Sequence, residues 1–215
     1  MTQTPTQPKI YHITHVNNLT SIVNDGELLS DAQMIRRGGP SATIGMTKIK
    51  RRRLALPVKC HPGTFVGDYV PFYFCYRSVM LYVISKGNNP ELQFKGGQDE
   101  IVHLEVDFHS AVTWANRVHR LWAYSLSNAG AVYTEFDSGL PGLGRLDWAA
   151  IANTDFRDSD VKESKQAEFL MHTSLPWSLV SGIGVSSVHI QTAASTAISL
   201  ASHKPPIAVM RNWYY

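Results

Sequence analysis

The sequence predicts an α+β fold in one domain spanning residues 1–215, with short strands in mixed or antiparallel sheets and helices around them. Three observations lead there. Apolar and polar residues alternate with period two over short runs, most plainly at 100–108, where Val102, Leu104, Val106 and Phe108 face away from Ile101, His103, Glu105 and Asp107. Helical patterns fall between these runs irregularly, not in the strict strand–helix alternation of a doubly wound sheet. No repeat, low-complexity tract or linker divides the chain.

Residues 10–14 read as a first strand. Asn18 caps a short helix at 19–25, and Gly26 stops it. Residues 30–69 are rich in glycine, proline and basic side chains and read as an irregular, functional loop region. An aromatic strand follows at 70–75, then a helix at 77–86 ended by Gly87. After the strand at 100–108, a long helix is expected at 110–126, with Trp114, Val118, Leu121 and Trp122 along one side. A second helix is expected at 146–153, a strand around Glu168, a strand at 184–190, a helix at 193–201 and a last strand at 207–210.

Composition narrows the classes. The net charge is +3 and the pI near 8.8. No apolar run approaches the ~18 residues of a membrane span. Residues 1–8 are polar, lack an apolar signal core and read as a loose tail on a cytoplasmic protein. Cys60 and Cys75 give no disulfide framework and fit a reducing compartment. Five of the six residues at 48–53 are basic (Lys48, Lys50, Arg51, Arg52, Arg53), a footprint for phosphate that a solvated face would also display. There is no phosphate loop of the Walker type. Gly142-Leu143-Gly144 lacks the context of a dinucleotide fingerprint, and no Gly-x-Ser-x-Gly elbow occurs. His12 with His15, or Cys60 with His61, has no second pair at matching spacing, so no metal is expected.

What remains is a carboxylate in an apolar strand. In 165–172, Ala167, Phe169 and Met171 alternate with Glu168, Leu170 and His172. Glu168 is either a solvated edge-strand carboxylate or a functional group held on a rigid strand.

Taken in order, Tyr11-His12-Ile13-Thr14, Asn18-Leu19-x-Ser21-Ile22, Gly26-Glu27-Leu28-Leu29, Ile49-Lys50-Arg51-Arg52-Arg53, Val70-Pro71-Phe72-Tyr73-Phe74, Ser78-Val79-Met80-Leu81-Tyr82 and Gln166-Ala167-Glu168-Phe169-Leu170 resemble the DarT family of DNA ADP-ribosyltransferase toxins. The resemblance covers nearly the whole chain. It implies an ADP-ribosyltransferase-like fold and a toxin that moves ADP-ribose from NAD, its co-substrate, to thymine in single-stranded DNA. It also implies a macrodomain antitoxin that removes the modification, and a monomeric enzyme without metal. Glu168 would stabilise the cationic ribose. His12, Thr14, Asn24, Tyr73, Phe74, Ser78 and Met80 would hold NAD, with Tyr73, Phe74, Tyr76 and Met80 all open as the group stacked on nicotinamide.

Arg51 matches the basic residue that the family assigns to the acceptor thymine. An electrostatic role is expected, because guanidinium is a poor base. Thymine N3 lies on the pairing edge, so the strand must be single or the base extruded. Lys48, Lys50, Arg52 and Arg53, with His119, Arg120 and Trp122, are the expected DNA contacts. Two readings compete. One is an ADP-ribosyltransferase or 2′-phosphotransferase-like enzyme acting on RNA or protein. The other is a nucleic-acid-binding module without catalysis, which leaves Glu168 unexplained.

Overall fold

A computed structural model describes residues 3–215; the first two positions of the expected tail lie outside the described residues. The tail remains irregular as far as Gln7. Pro8 is buried, and its carbonyl accepts from the Phe108 amide at 3.1 Å.

The chain starts with β1 (Lys9–His15), α1 (Leu19–Asp25), β2 (Glu27–Leu29), α2 (Asp31–Arg36) and α3 (Thr47–Arg53). The region 30–69 is therefore less irregular than expected. Ser30 caps α2 through the Gln33 amide, and the basic run is not a loop but the helix α3. Then come β3 (Tyr69–Tyr73), α4 (Val79–Lys86), β4 (Ile101–Asp107), α5 (Phe108–Arg117), β5 (Trp122–Asn128) and β6 (Phe136–Asp137). The last third holds α6 (Trp148–Ala152), α7 (Ser159–Ser164), β7 (Ala167–His172), β8 (Ser174–Pro176), β9 (Val180–Val185), α8 (Val188–Ala197) and β10 (Ile207–Val209).

Eight strands form one sheet in the order β10-β9-β4-β1-β3-β7-β5-β6, antiparallel except for β9 and β10; β2 and β8 form a separate antiparallel pair. This is the mixed α+β architecture that the strand and helix patterns predict. Its core gathers Ile10, Phe72, Leu104, Phe108 and Phe169 at 0% exposure. Aromatic edges lock it, with Phe108 against Phe169 at 5.3 Å between centroids.

Two element expectations fail for local reasons. The helix expected over 110–126 ends at Arg117, because His119 takes a left-handed φ of 54°. Beyond it, Trp122, Ala123, Tyr124 and Ser125 extend as β5. The strand expected at 184–190 ends at Val185. Ser187 caps α8 by accepting from the Ile190 amide, so this helix begins five residues before the expected position 193.

One joint in the sheet matters most. β1 pairs with β4 along seven positions but with β3 only at Tyr11 and Tyr73. Beyond that point the two strands diverge. Pro71 carries no N–H with which to continue the ladder, and the gap becomes a pocket.

Candidate active site

The pocket between β1 and β3 encloses about 210 Å³. His12 and Thr14 come from β1, Pro71 and Tyr73 from β3, and Met80 from α4. The imidazole of His12 bridges the gap: Nδ1 donates to the Pro71 carbonyl at 2.8 Å. That bond fixes the tautomer, since a carbonyl can only accept. Burial pushes the ring below the usual histidine range, against the pull of the Pro71 bond, and it is neutral at pH 7. Its remaining nitrogen, Nε2, is therefore an acceptor. His12, expected to hold NAD, can thus accept from a hydroxyl through Nε2 but cannot donate to one.

The pocket's outer wall is the segment 40–46, and Asn18 holds it. Its Nδ2 donates to the Ala42 carbonyl at 2.8 Å and to Thr14 Oγ1 at 3.0 Å, and its Oδ1 accepts from the Ala42 amide at 2.8 Å. Asn18 was expected only as a helix cap, but its side chain makes no cap bond. Nothing in the local sequence shows this use, which spans 24 positions. Lys50, expected at DNA, lines this pocket instead, with Nζ 2.8 Å from Asp31 Oδ1.

Glu168 is not on an edge. β7 lies between β3 and β5, and Glu168 pairs in register with Tyr73. Its carboxylate is buried, and both oxygens accept from Arg53: Nη1 to Oε1 and Nη2 to Oε2, each 2.9 Å. The Glu168 amide donates to Ser125 Oγ at 3.0 Å, so β5 fixes the backbone behind it. Burial opposes the guanidinium charge, but Glu168 more than offsets this and keeps Arg53 protonated. Burial, and then the Glu168 charge, push the Tyr73 hydroxyl well above the usual range.

This geometry redistributes the expected roles. Arg53, not Arg51, meets the carboxylate and lines the pocket; Arg51 is exposed on α3. Arg53 is thus corrected from a phosphate contact to a member of the buried centre. Spacing explains the choice: Met46, Ile49 and Arg53 recur every three or four residues and form the inward face of α3.

Four cofactor candidates fall outside the pocket, among them Tyr76, which stacks on Trp213 at 5.3 Å. Phe74 packs against Trp148 and Phe108 in the core. Ser78 is fully buried and caps α4 through the Leu81 amide. Asn24 is exposed on α1, where Ser21, Ile22 and Asp25 line the pocket instead.

Trp122 is core, stacked on Phe169 at 6.1 Å, with Nε1 donating to Asn116 Oδ1. His119 and Arg120 lie in the turn before β5, where the Leu121 carbonyl accepts from the His172 amide at the far end of β7 from Glu168. Arg52 and Lys48 are exposed on α3, and Lys48 pairs with Glu91 at 2.6 Å. Among the described residues, no three His, Cys, Asp or Glu side chains gather as metal ligands.

The pocket holds a neutral histidine acceptor on β1, and Arg53 on its wall carries the buried Glu168 carboxylate, which does not itself line it. A family model described as ssDNA thymidine ADP-ribosyltransferase, DarT, matches residues 11–215. A DNA ADP-ribosyl transferase of Thermus aquaticus is 36% identical over 216 residues, covering 98% of this chain and 90% of that protein. The solved structure of Thermus sp. 2.9 DarT in complex with ADP-ribosylated ssDNA aligns with TM-score 0.90 at 32% identity over 100% of both chains. The structure of Thermus sp. 2.9 DarT in complex with NAD+ aligns at TM-score 0.82 and 31% identity, over 99% of this chain and 100% of that one.

Proposed function

The chain belongs to the DarT family of ssDNA thymidine ADP-ribosyltransferases, and on that premise we propose how its residues divide the work of moving ADP-ribose from NAD to thymine. The observation that carries the reading is the Glu168–Arg53 pair beside the pocket that His12 and Asn18 build.

NAD lies along the gap between β1 and β3. His12 Nε2 accepts from one ribose hydroxyl, and Thr14 orients the nicotinamide amide. Tyr73 and Met80 give the apolar wall beside nicotinamide. As the bond from nicotinamide nitrogen to ribose C1′ breaks, the leaving group takes the electron pair and positive charge builds on the ribose. Glu168 stabilises that charge and holds a ribose hydroxyl more tightly as the charge grows. Thymine N3 then forms the new bond to C1′, and its proton passes to water.

Arg53 is the acceptor-side cation. Its fork is held by the carboxylate, and the N–H groups left over can donate to a thymine carbonyl and favour the deprotonated ring. Arg51, Arg52 and Lys48 on the exposed face of α3 carry the phosphates of the strand, with His119 and Arg120 further out. The protein acts as a monomeric toxin in the cytoplasm, opposed by a macrodomain antitoxin that removes the mark. Among the described residues, no helix is long and apolar enough to cross a membrane.

The test is incubation with NAD and a thymine-containing oligonucleotide, followed by mass spectrometry. Single-stranded DNA should gain one ADP-ribose, and its complement should protect it. Equal reaction of duplex, or a preference for RNA, overturns the acceptor assignment.

A further inference from the structure

A second cavity, of about 260 Å³, lies where β3 leaves the sheet, and the first pocket shares no residue with it. Three cations line it: Lys9, which pairs with Asp107 at 3.2 Å, and Lys165 and Arg77, which have no such partner among the described residues. Lys165 is only 2% exposed, yet among the described residues no carboxylate lies within 4 Å of its ammonium. It donates to the Ile151 carbonyl at 2.7 Å and to Cys75 Sγ at 3.6 Å, which leaves its third N–H free. Burial pushes the Cys75 thiol up, against the pull of Lys165, so the sulfur brings no countercharge. Arg77 is odder. Its Nε is buried with no hydrogen-bond partner, and its guanidinium has only the Tyr215 ring face at 4.6 Å. A buried cation without a counterion costs stability, and Lys165 in that state beside a half-buried Arg77 with an unpartnered Nε calls for an anion.

The position narrows the anion's identity. Cys75 stands two residues beyond Tyr73, which pairs with Glu168, and Lys165 stands three residues before Glu168. Three residues of chain span at most about 11 Å, so Lys165 stands within that distance of the Glu168 backbone. Tyr76, stacked on Trp213, and the buried Trp148 give the cavity an aromatic wall behind the two cations. We propose that this cavity is a subsite for the single-stranded DNA substrate, binding on Lys165 and Arg77 a phosphate that flanks the target thymine. The inference rests on the DNA-transferase reading. It extends the strand's path from the outer face of α3 across Glu168 to the end of β3.

The experiment is a phosphate scan. Each linkage around the thymine is replaced in turn by a neutral methylphosphonate, and binding is read by fluorescence anisotropy beside the rate of transfer. In the wild type, one linkage within two nucleotides of the thymine should raise the half-saturating DNA concentration about tenfold, the worth of one charge-assisted contact. In Arg77→Gln that same substitution should cost less than twofold, because the partner is already gone. Arg77 makes no hydrogen bond to lose, so this variant should fold as the wild type does. Lys165→Met supplies the second reading and should show the same lost sensitivity.

A scan in which both variants respond as the wild type does overturns the subsite. So does a flat scan with Arg77-dependent binding of free thymidine monophosphate, which assigns the cavity to a small nucleotide. Wild-type protein that modifies DNA while its own scan is flat refutes the subsite alone. Wild-type protein that modifies no DNA refutes the parent reading and the subsite with it.

Discussion

Glu168 and Arg53 hold each other in a bidentate pair away from water, and the two ways of removing the carboxylate should therefore differ. Glu168→Ala leaves a buried guanidinium uncompensated, which costs about 3–5 kcal/mol of stability. Glu168→Gln keeps one acceptor for Arg53 but no countercharge, so it should lose less stability than Ala, while transfer falls roughly a hundredfold to a thousandfold for want of the negative charge. Calorimetry and rates on both variants check this; a Gln variant with most of its activity removes Glu168 from the chemistry. The neighbouring arginines should separate as well. Arg51→Ala should only raise the DNA concentration needed, whereas Arg53→Lys should lower the maximal rate at saturating DNA, since an ammonium cannot reproduce the fork. Equal effects in the two would sink the assignment. The carboxylate was legible in the sequence because a lone acid in an alternating apolar strand stands out. The choice between Arg51 and Arg53 was not, because a run of arginines shows which residues are basic but not which face of a helix turns inward.

At the scale of elements, the pocket exists because β1 and β3 part after a single pairing and because Asn18 ties segment 40–46 across the opening. Asn18→Ala removes three bonds at about 1 kcal/mol each, and should weaken NAD binding at least about tenfold and lower Tm by several degrees. Isothermal titration with NAD measures it, and an unchanged Kd means the wall stands without the clamp. The first strand, the first helix and the 100–108 strand were legible from periodicity and stop signals. The α5–β5 boundary was not: Trp114, Val118, Leu121 and Trp122 fit a helical stripe, and only the left-handed turn at His119 breaks it. The Asn18 bridge and the Glu168–Arg53 pair depend on tertiary closure between distant positions, which no local pattern encodes.

The whole molecule carries a buried acid sensor. His103 is fully buried on β4, donating from Nε2 to the Tyr76 carbonyl at 2.9 Å, and burial pushes its pKa down to about 4. The unfolded chain, with histidine near 6.5, binds more protons than the fold between those values, so stability rises with pH across that window and falls on acidification. Burial lowers His12 and His172 in the same direction. The His103 contribution should reach on the order of 3 kcal/mol by pH 4. The Tm of the wild type should therefore drop between pH 6.5 and pH 4, and His103→Gln should give a shallower slope; parallel slopes would show that His103 does not titrate with unfolding.

The 115 positions between Arg53 and Glu168 also set an order of events during synthesis. A ribosome delivers His12, Asn18 and the guanidinium early and the carboxylate late, on a strand that must slot between β3 and β5. A nascent chain thus has walls for a cofactor long before it has the group that acts on it. On the proposed assignment, products cut short before β7 should bind NAD poorly or not at all and transfer no ADP-ribose, because they lack both the strand beside β3 and the carboxylate.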